Sequence, residues 1–222
     1  RPPLEAVASE GISAVLAGSD TTATTFTALF FYLLQNAEKL SKLCAEIDNH
    51  FARDEEPVDF GKLAGMEYFN ACINEALRLY PPVMSGSQRQ VPRGSGGKMI
   101  SVSSHYTFFQ DLLFIPEGTS ILIHAFSAHR DPRNFSYPDS FRPERWLVDG
   151  RPSDMKHNPE AFTPFSFGPQ NCVGKNLAIM ELRGVVASIV QRLNVAATGG
   201  LGLEQWEFIT LLPPLLVRLQ AR

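Results

Sequence analysis

Residues 165–178 read Phe165-Ser166-Phe167-Gly168-Pro169-Gln170-Asn171-Cys172-Val173-Gly174-Lys175-Asn176-Leu177-Ala178, a loop shaped by glycine and proline that hands one cysteine to the start of a helix. Beyond it Leu182, Val185, Val186, Ile189, Val190 and Leu193 recur at three- and four-residue spacing, which predicts an amphipathic helix. A cysteine just ahead of such a helix meets unpaired backbone N–H groups and the positive end of the helix dipole, and both favour a negative sulfur. Gly168 and Gly174 let the main chain approach that sulfur closely. The pattern predicts a thiolate cradle, and the natural partner of a thiolate is a metal.

Ahead of the loop the chain reads as mainly helical. Ile12, Val15 and Leu16, then Phe26, Leu29, Phe30, Leu33 and Leu34, predict one long helix around a polar centre of Ser19, Asp20, Thr21 and Thr22. The stretch from Gly11 to Leu34 has the length of a membrane span. Asp20 in its middle would cost roughly 2.5–3.5 kcal/mol in a bilayer, so a buried core helix is expected instead. A second helix opens at Asn36-Ala37-Glu38 and runs through Leu40, Leu43, Ile47 and Phe51 to the charged run Arg53–Pro57. A third spans Tyr68 to Leu79 and is stopped by Pro81-Pro82.

From Val83 to Ile123 the texture changes to short runs, Lys98-Met99-Ile100 and Thr119–Ile123, between glycine-rich turns, which predicts a small irregular β-region. Asp131 to Pro164 is rich in Pro, Asp, Asn and Arg and reads as a long ordered meander. A strand-like tail follows the last helix, punctuated by Gly199-Gly200 and Pro213-Pro214. The fold class is mainly α with a minor β-region.

With 44% apolar and 19% charged residues, the 222-residue chain can bury a substantial core. A net charge of -3 with no basic stripe excludes a nucleic-acid footprint. Three widely spaced cysteines, Cys44, Cys72 and Cys172, argue against a disulfide framework and for a reducing compartment. The chain opens Arg1-Pro2-Pro3 without an initiator Met or a signal pattern, so it is expected to be a piece of something longer.

Glu75 and Arg78 share a helix face, a pairing that by itself contributes only about 0.2–0.5 kcal/mol. The meander segment Phe141-Arg142-Pro143-Glu144-Arg145-Trp146 offers a second guanidinium: Arg145 docking on Glu75 would make a buried Glu75-Arg78-Arg145 cluster that braces the cysteine loop. Together with Ala17-Gly18-Ser19-Asp20-Thr21-Thr22 and the loop itself, these motifs in this order resemble the cytochrome P450 family of haem-thiolate monooxygenases. Lys98-Met99-Ile100 and Gly174 to Ala178 look most like its fungal branch. The resemblance covers nearly all of residues 1–222 but only the haem-binding C-terminal half of the family's usual length.

The resemblance implies haem (iron protoporphyrin IX) as cofactor, with Cys172 as the proximal iron ligand and Phe165, Gly168 and Gly174 shaping its loop. In this family the thiolate's electron density favours O–O cleavage. Asp20 and Thr21 would lie over the opposite face, in a locally widened helix turn where Gly18 leaves room, and pass protons inward. Gln170 stands where the family usually carries an arginine for a haem propionate, so that anchoring would fall to Arg89, His129 or Arg130. The resemblance further implies O2, an apolar small-molecule substrate and electrons from a separate NADPH-dependent reductase. It places the parent protein on the cytosolic face of the endoplasmic reticulum membrane, held by a part that would precede Arg1. Val83 to Ser87 and Leu211-Leu212-Pro213 are the segments expected near substrate. Residues 101–113 sit where related chains pass directly from Lys-Met-Ile to Ile-Pro-Glu-Gly-Thr, and read as an inserted, mis-spliced stretch; His105 within them is no metal candidate. The rival reading is a non-catalytic truncated remnant that keeps no haem and serves as a helical interaction module.

Overall fold

Helix α1 spans Leu4–Leu34 in the computed structural model, which describes residues 2–86, 88–103, 110–149, 151–198 and 215–222. It opens directly after Pro3 because Glu5, Ala6, Ala8 and Glu10 suit a helix and Pro3 sits at its N-cap, where a missing N–H costs nothing, and so extends ahead of the periodic apolar residues that begin at Ile12. Only its second half is buried, through Ala28, Leu29, Phe30 and Leu33, while Leu4, Val7, Ile12, Val15 and Leu16 lie exposed. No helix among the described residues is long and apolar enough to cross a membrane.

Helices α2 (Ala37–His50) and α4 (Glu67–Leu79) follow the expected periodicities. Between them α3 (Phe60–Gly65) has no counterpart in the sequence reading; its two glycines hide the pattern, and Asp59 caps it by accepting the Lys62 N–H at 3.0 Å. The start of α4 lacks a side-chain cap of its own. The Glu46 carboxylate of α2 supplies one, accepting the N–H groups of Tyr68 (3.0 Å) and Phe69 (2.7 Å). The helix ends at Leu79, ahead of Pro81-Pro82.

Strands β1 (Arg89–Gln90) and β4 (Ser120–Ile121) pair antiparallel and bracket a hairpin of β2 (Lys98–Ser103) and β3 (Gln110–Ile115), with Met99 opposite Phe114 and Ile100 opposite Leu113. Gly97 has φ +94°, and a Cβ there would stand 2.4 Å from the Phe114 ring, so the turn into β2 requires glycine. Within the stretch 101–113, expected to be inserted, Ser101–Ser103 lengthen β2 and Gln110–Leu113 supply much of β3, pairing Ser101 with Leu112, Val102 with Asp111 and Ser103 with Gln110. Residues 104–109, His105 among them, lie outside the described residues, as do Ser87, Gly199-Gly200, Leu211-Leu212-Pro213 and Pro214.

Helix α5 (Ala125–His129) leads into the meander, which is ordered by two 3₁₀ turns, Pro143–Trp146 and Pro159–Ala161, and a bridge between Phe135 and His157. Helix α6 (Lys175–Arg192) follows the cysteine loop, and β5 (Leu193–Ala197) pairs antiparallel with β6 (Val217–Ala221). The core lies where α1, α2, α4 and α6 meet, around Leu33, Ile47, Phe69, Ile73, Leu182 and Val186. The two halves of α1 therefore differ in consequence. Leu33→Ala should cost about 2–5 kcal/mol and Leu16→Ala within about 0.5 kcal/mol, read from urea unfolding midpoints.

Candidate functional site

Position 75 faces inward from α4, and its carboxylate is fully buried with Arg78 and Arg145, which have no exposure either. Oε1 accepts from Arg78 Nη2 (2.9 Å), Arg145 Nε (3.0 Å) and the Arg142 N–H (2.9 Å); Oε2 accepts from Arg78 Nε and Trp146 Nε1, each at 2.9 Å. Burial alone would raise the Glu75 pKa. The Arg78 hydrogen bonds and charge, the Arg145 charge and the Arg142 N–H outweigh it and hold the carboxyl below its ordinary range. Arg78 also donates to the carbonyls of His129 (2.8 Å), Pro138 (2.6 Å) and Ser140 (3.3 Å), so α4 grips the meander along its length. Trp146 and the Arg142 N–H were not foreseen as members. Their signal was the Phe141–Trp146 segment itself, whose 3₁₀ turn aims both at one carboxylate.

The cysteine loop is held by its own main chain. Cys172 N–H donates to the Phe165 carbonyl (2.9 Å), Asn171 N–H to that of Gly168 (3.1 Å), and Ser166 N–H to that of Thr163 (3.0 Å). Gly168 has φ +75°, which a side chain would strain. Gly174 is the N-cap of α6, and a Cβ there would lie 4.0 Å from Cys172 Sγ. Cys172 is exposed, and Phe167, Val173 and Leu177 beside it in the sequence are exposed apolar residues. No group of three or more His, Cys, Asp or Glu gathers to hold a metal among the described residues. An exposed sulfur with exposed apolar side chains near it in sequence would suit an iron whose other ligands are brought by a flat apolar group such as haem.

Of the three cations considered for a propionate, only Arg89 reaches the loop, donating to the Gln170 carbonyl (3.1 Å) and to Ser166 Oγ (3.4 Å). The Gln170 side chain is exposed. His129 does not provide a cation. It is fully buried, its Nε2 accepts the Thr163 N–H (2.9 Å) and its Nδ1 faces the Arg78 carbonyl (3.2 Å), while burial lowers its pKa to about 4 and keeps it neutral. Arg130 is tied to the Leu79 carbonyl (2.8 Å) and to Asp139.

The expected widened turn of α1 is likewise not seen. The helix is α throughout, and Thr21 Oγ1 donates to its own Ala17 carbonyl (2.6 Å), the local bond that hydroxyls commonly make in helices. Asp20 is exposed.

Glu75→Gln would leave two buried guanidiniums without a counter-charge, a loss of about 3–5 kcal/mol to be read by urea denaturation. His129 generates a pH prediction. Its folded pKa lies below that of the unfolded chain, so between pH 6.5 and 5 the unfolded state takes up the proton and the native state does not. The His129 contribution to stability should fall as pH falls across that window, by at most about 1.4 kcal/mol per pH unit, with His157, also lowered to about 4, acting in the same direction, and the slope should shrink in His129→Gln.

The family model for cytochrome P450 matches residues 3–215. The chain is 44% identical over 187 residues to the cytochrome P450 monooxygenase nodW of Hypoxylon pulicicidum, covering 84% of this chain and 32% of that protein. It is 34% identical over 209 residues to tpeC of Talaromyces stipitatus, covering 92% and 38%, and 39% identical over 184 residues to AMT3 of Alternaria alternata, covering 82% and 34%. Both are also named cytochrome P450 monooxygenases, and the chain spans roughly a third of the length of these relatives. The buried Glu75-Arg78-Arg145 cluster, the cysteine loop and these matches together place the chain in the cytochrome P450 family.

Proposed function

We propose that residues 1–222 form the haem-binding part of a monooxygenase that inserts one oxygen atom of O2 into an apolar organic substrate. The second oxygen atom leaves as water, using two protons and two electrons from an NADPH-dependent reductase. The whole protein is assigned to the cytosolic face of the endoplasmic reticulum membrane, with the substrate class taken from the family. The observation that carries the reading is Cys172, exposed on a loop that Arg89 contacts at the Gln170 carbonyl, in a chain that also holds the buried Glu75 cluster.

When bound, haem supplies the iron at which dioxygen is activated, a chemistry the side chains cannot perform. The residues have distinct tasks around it. Cys172 offers its sulfur, with its N–H committed to the Phe165 carbonyl. Arg89, fixed by the Gln170 carbonyl, provides the positive charge for a propionate that Gln170 itself lacks. Phe165 and the exposed Phe167, Val173 and Leu177 give apolar surface that excludes water from the sulfur side. Thr21 can hold or pass a proton once its hydroxyl rotates off the Ala17 carbonyl, and the exposed Asp20 beside it can receive that proton from solvent.

The deciding experiment is the absorption spectrum of the haem-loaded, reduced protein under carbon monoxide. A Soret band far to the red of the imidazole-ligated position is expected, and it should vanish in Cys172→Ser. Its absence from the unmodified protein would sink the haem-thiolate reading.

A further inference from the structure

Burial of His129 removes it from the list of haem-contacting cations and leaves a more specific task. Thr163 N–H can only donate, so the ring nitrogen that meets it, Nε2, is the unprotonated one and the proton sits on Nδ1. Nδ1–H then donates to the Arg78 carbonyl at 3.2 Å. In return Arg78 Nη1 donates to the His129 carbonyl at 2.8 Å, so the two residues are joined by hydrogen bonds running in opposite directions. The imidazole packs against Phe162, ring centres 5.3 Å apart, and has no exposure.

Thr163 is where this buried assembly meets the cysteine loop. Its carbonyl accepts the Ser166 N–H at 3.0 Å, which closes the turn containing Phe165. Phe165 in turn presents its carbonyl to the Cys172 N–H at 2.9 Å. A continuous line of hydrogen bonds and short backbone therefore runs from the Glu75–Arg78 pair through one imidazole to the amide of Cys172. Ser166 stands inside that turn at φ +59°, a left-handed conformation that a serine holds only when its surroundings impose it.

We propose that His129 is a positioning residue for Cys172, acting through Thr163 to fix the turn from which the sulfur is presented. The proposal rests on the haem-thiolate reading for its consequence, and on geometry alone for its mechanism. It requires the acceptor at Nε2 specifically, because that is the atom on the loop side.

Two variants separate the halves of the ring. In His129→Gln the side-chain amide reaches the place of Nε2 and can accept from Thr163; in His129→Asn it reaches only the place of Nδ1, leaving the Thr163 N–H unmet. Amide hydrogen exchange at Cys172 in the haem-free protein is the first readout, alongside the unfolding midpoint. His129→Asn should speed that exchange by about ten-fold and His129→Gln by no more than about two-fold. The second readout is the reduced, carbon-monoxide spectrum of the loaded protein, in which His129→Asn should shift intensity from the red band to the blue one while His129→Gln retains the red band. A folded His129→Gln that exchanges Cys172 as fast as His129→Asn overturns the proposal, as does a His129→Asn indistinguishable from the parent in both measurements. Should His129→Asn fail to fold, His129→Gln is compared with the parent alone, and a Cys172 amide more than about two-fold faster at an unchanged midpoint overturns it equally. Loss of the red band from the parent protein would instead remove the haem-thiolate reading, with amide exchange still deciding the role of His129.

Discussion

Everything around the cysteine loop depends on one buried negative charge. The Glu75 carboxylate has no water, so its lone pairs must be met by protein, and the chain meets them from two directions: Arg78 one turn along the same helix, and Arg142, Arg145 and Trp146 from the meander. Buried ion pairs contribute little net stability once desolvation is counted. Their value here is geometric. A segment with no regular periodicity, residues 131–164, has few ways to bring one buried arginine, a tryptophan N–H and a main-chain N–H to one carboxylate, and the arrangement selects one of them. Arg78, by reaching the carbonyls of Pro138 and Ser140, spreads that constraint over two further points of the same segment, and by reaching that of His129 extends it to the end of α5.

The parts of the fold legible in the sequence are those whose information is local. The three- and four-residue spacing of α2 and α4 marks their buried faces, that of α6 does so through Leu182, Val186 and Val190 although Val185 is exposed, and Pro81-Pro82 marks the end of α4. The spacing of Glu75 and Arg78 likewise states that they share a face. What the sequence could not display is the company those faces keep. Trp146 stands 71 positions from Glu75, and Thr163 stands 34 from His129, so neither contact has a local signature. A histidine followed by an arginine looks like a pair of cations until burial makes the first neutral. The short helix α3 was hidden by its glycines, and the extent of β2 and β3 by the lack of strand periodicity in 101–113.

The three cysteines show how environment sorts one residue type into different chemistry. Cys72 is enclosed in the core of α4, where burial pushes its thiol well above the ordinary range, and Cys44 is shifted upward for the same reason to a lesser burial. Both behave as small apolar side chains. Cys172 is the exposed one among them, on a loop whose backbone hydrogen-bonds to itself. Its identity as the candidate ligand was visible from glycine and proline around it. The means by which the loop is held to the rest of the molecule was not.

Glu46 carries a consequence for how the molecule assembles. The two N–H groups it receives belong to the first turn of α4, yet Glu46 lies 22 and 23 positions earlier, on another helix. A helix start is ordinarily settled within its own few residues; this one is a long-range contact, bearing the loop-closure entropy of everything between. The element that carries Glu75 thus has its opening amides met only where α2 packs against it, so the two helices are stabilised together by a cap borrowed from a neighbour.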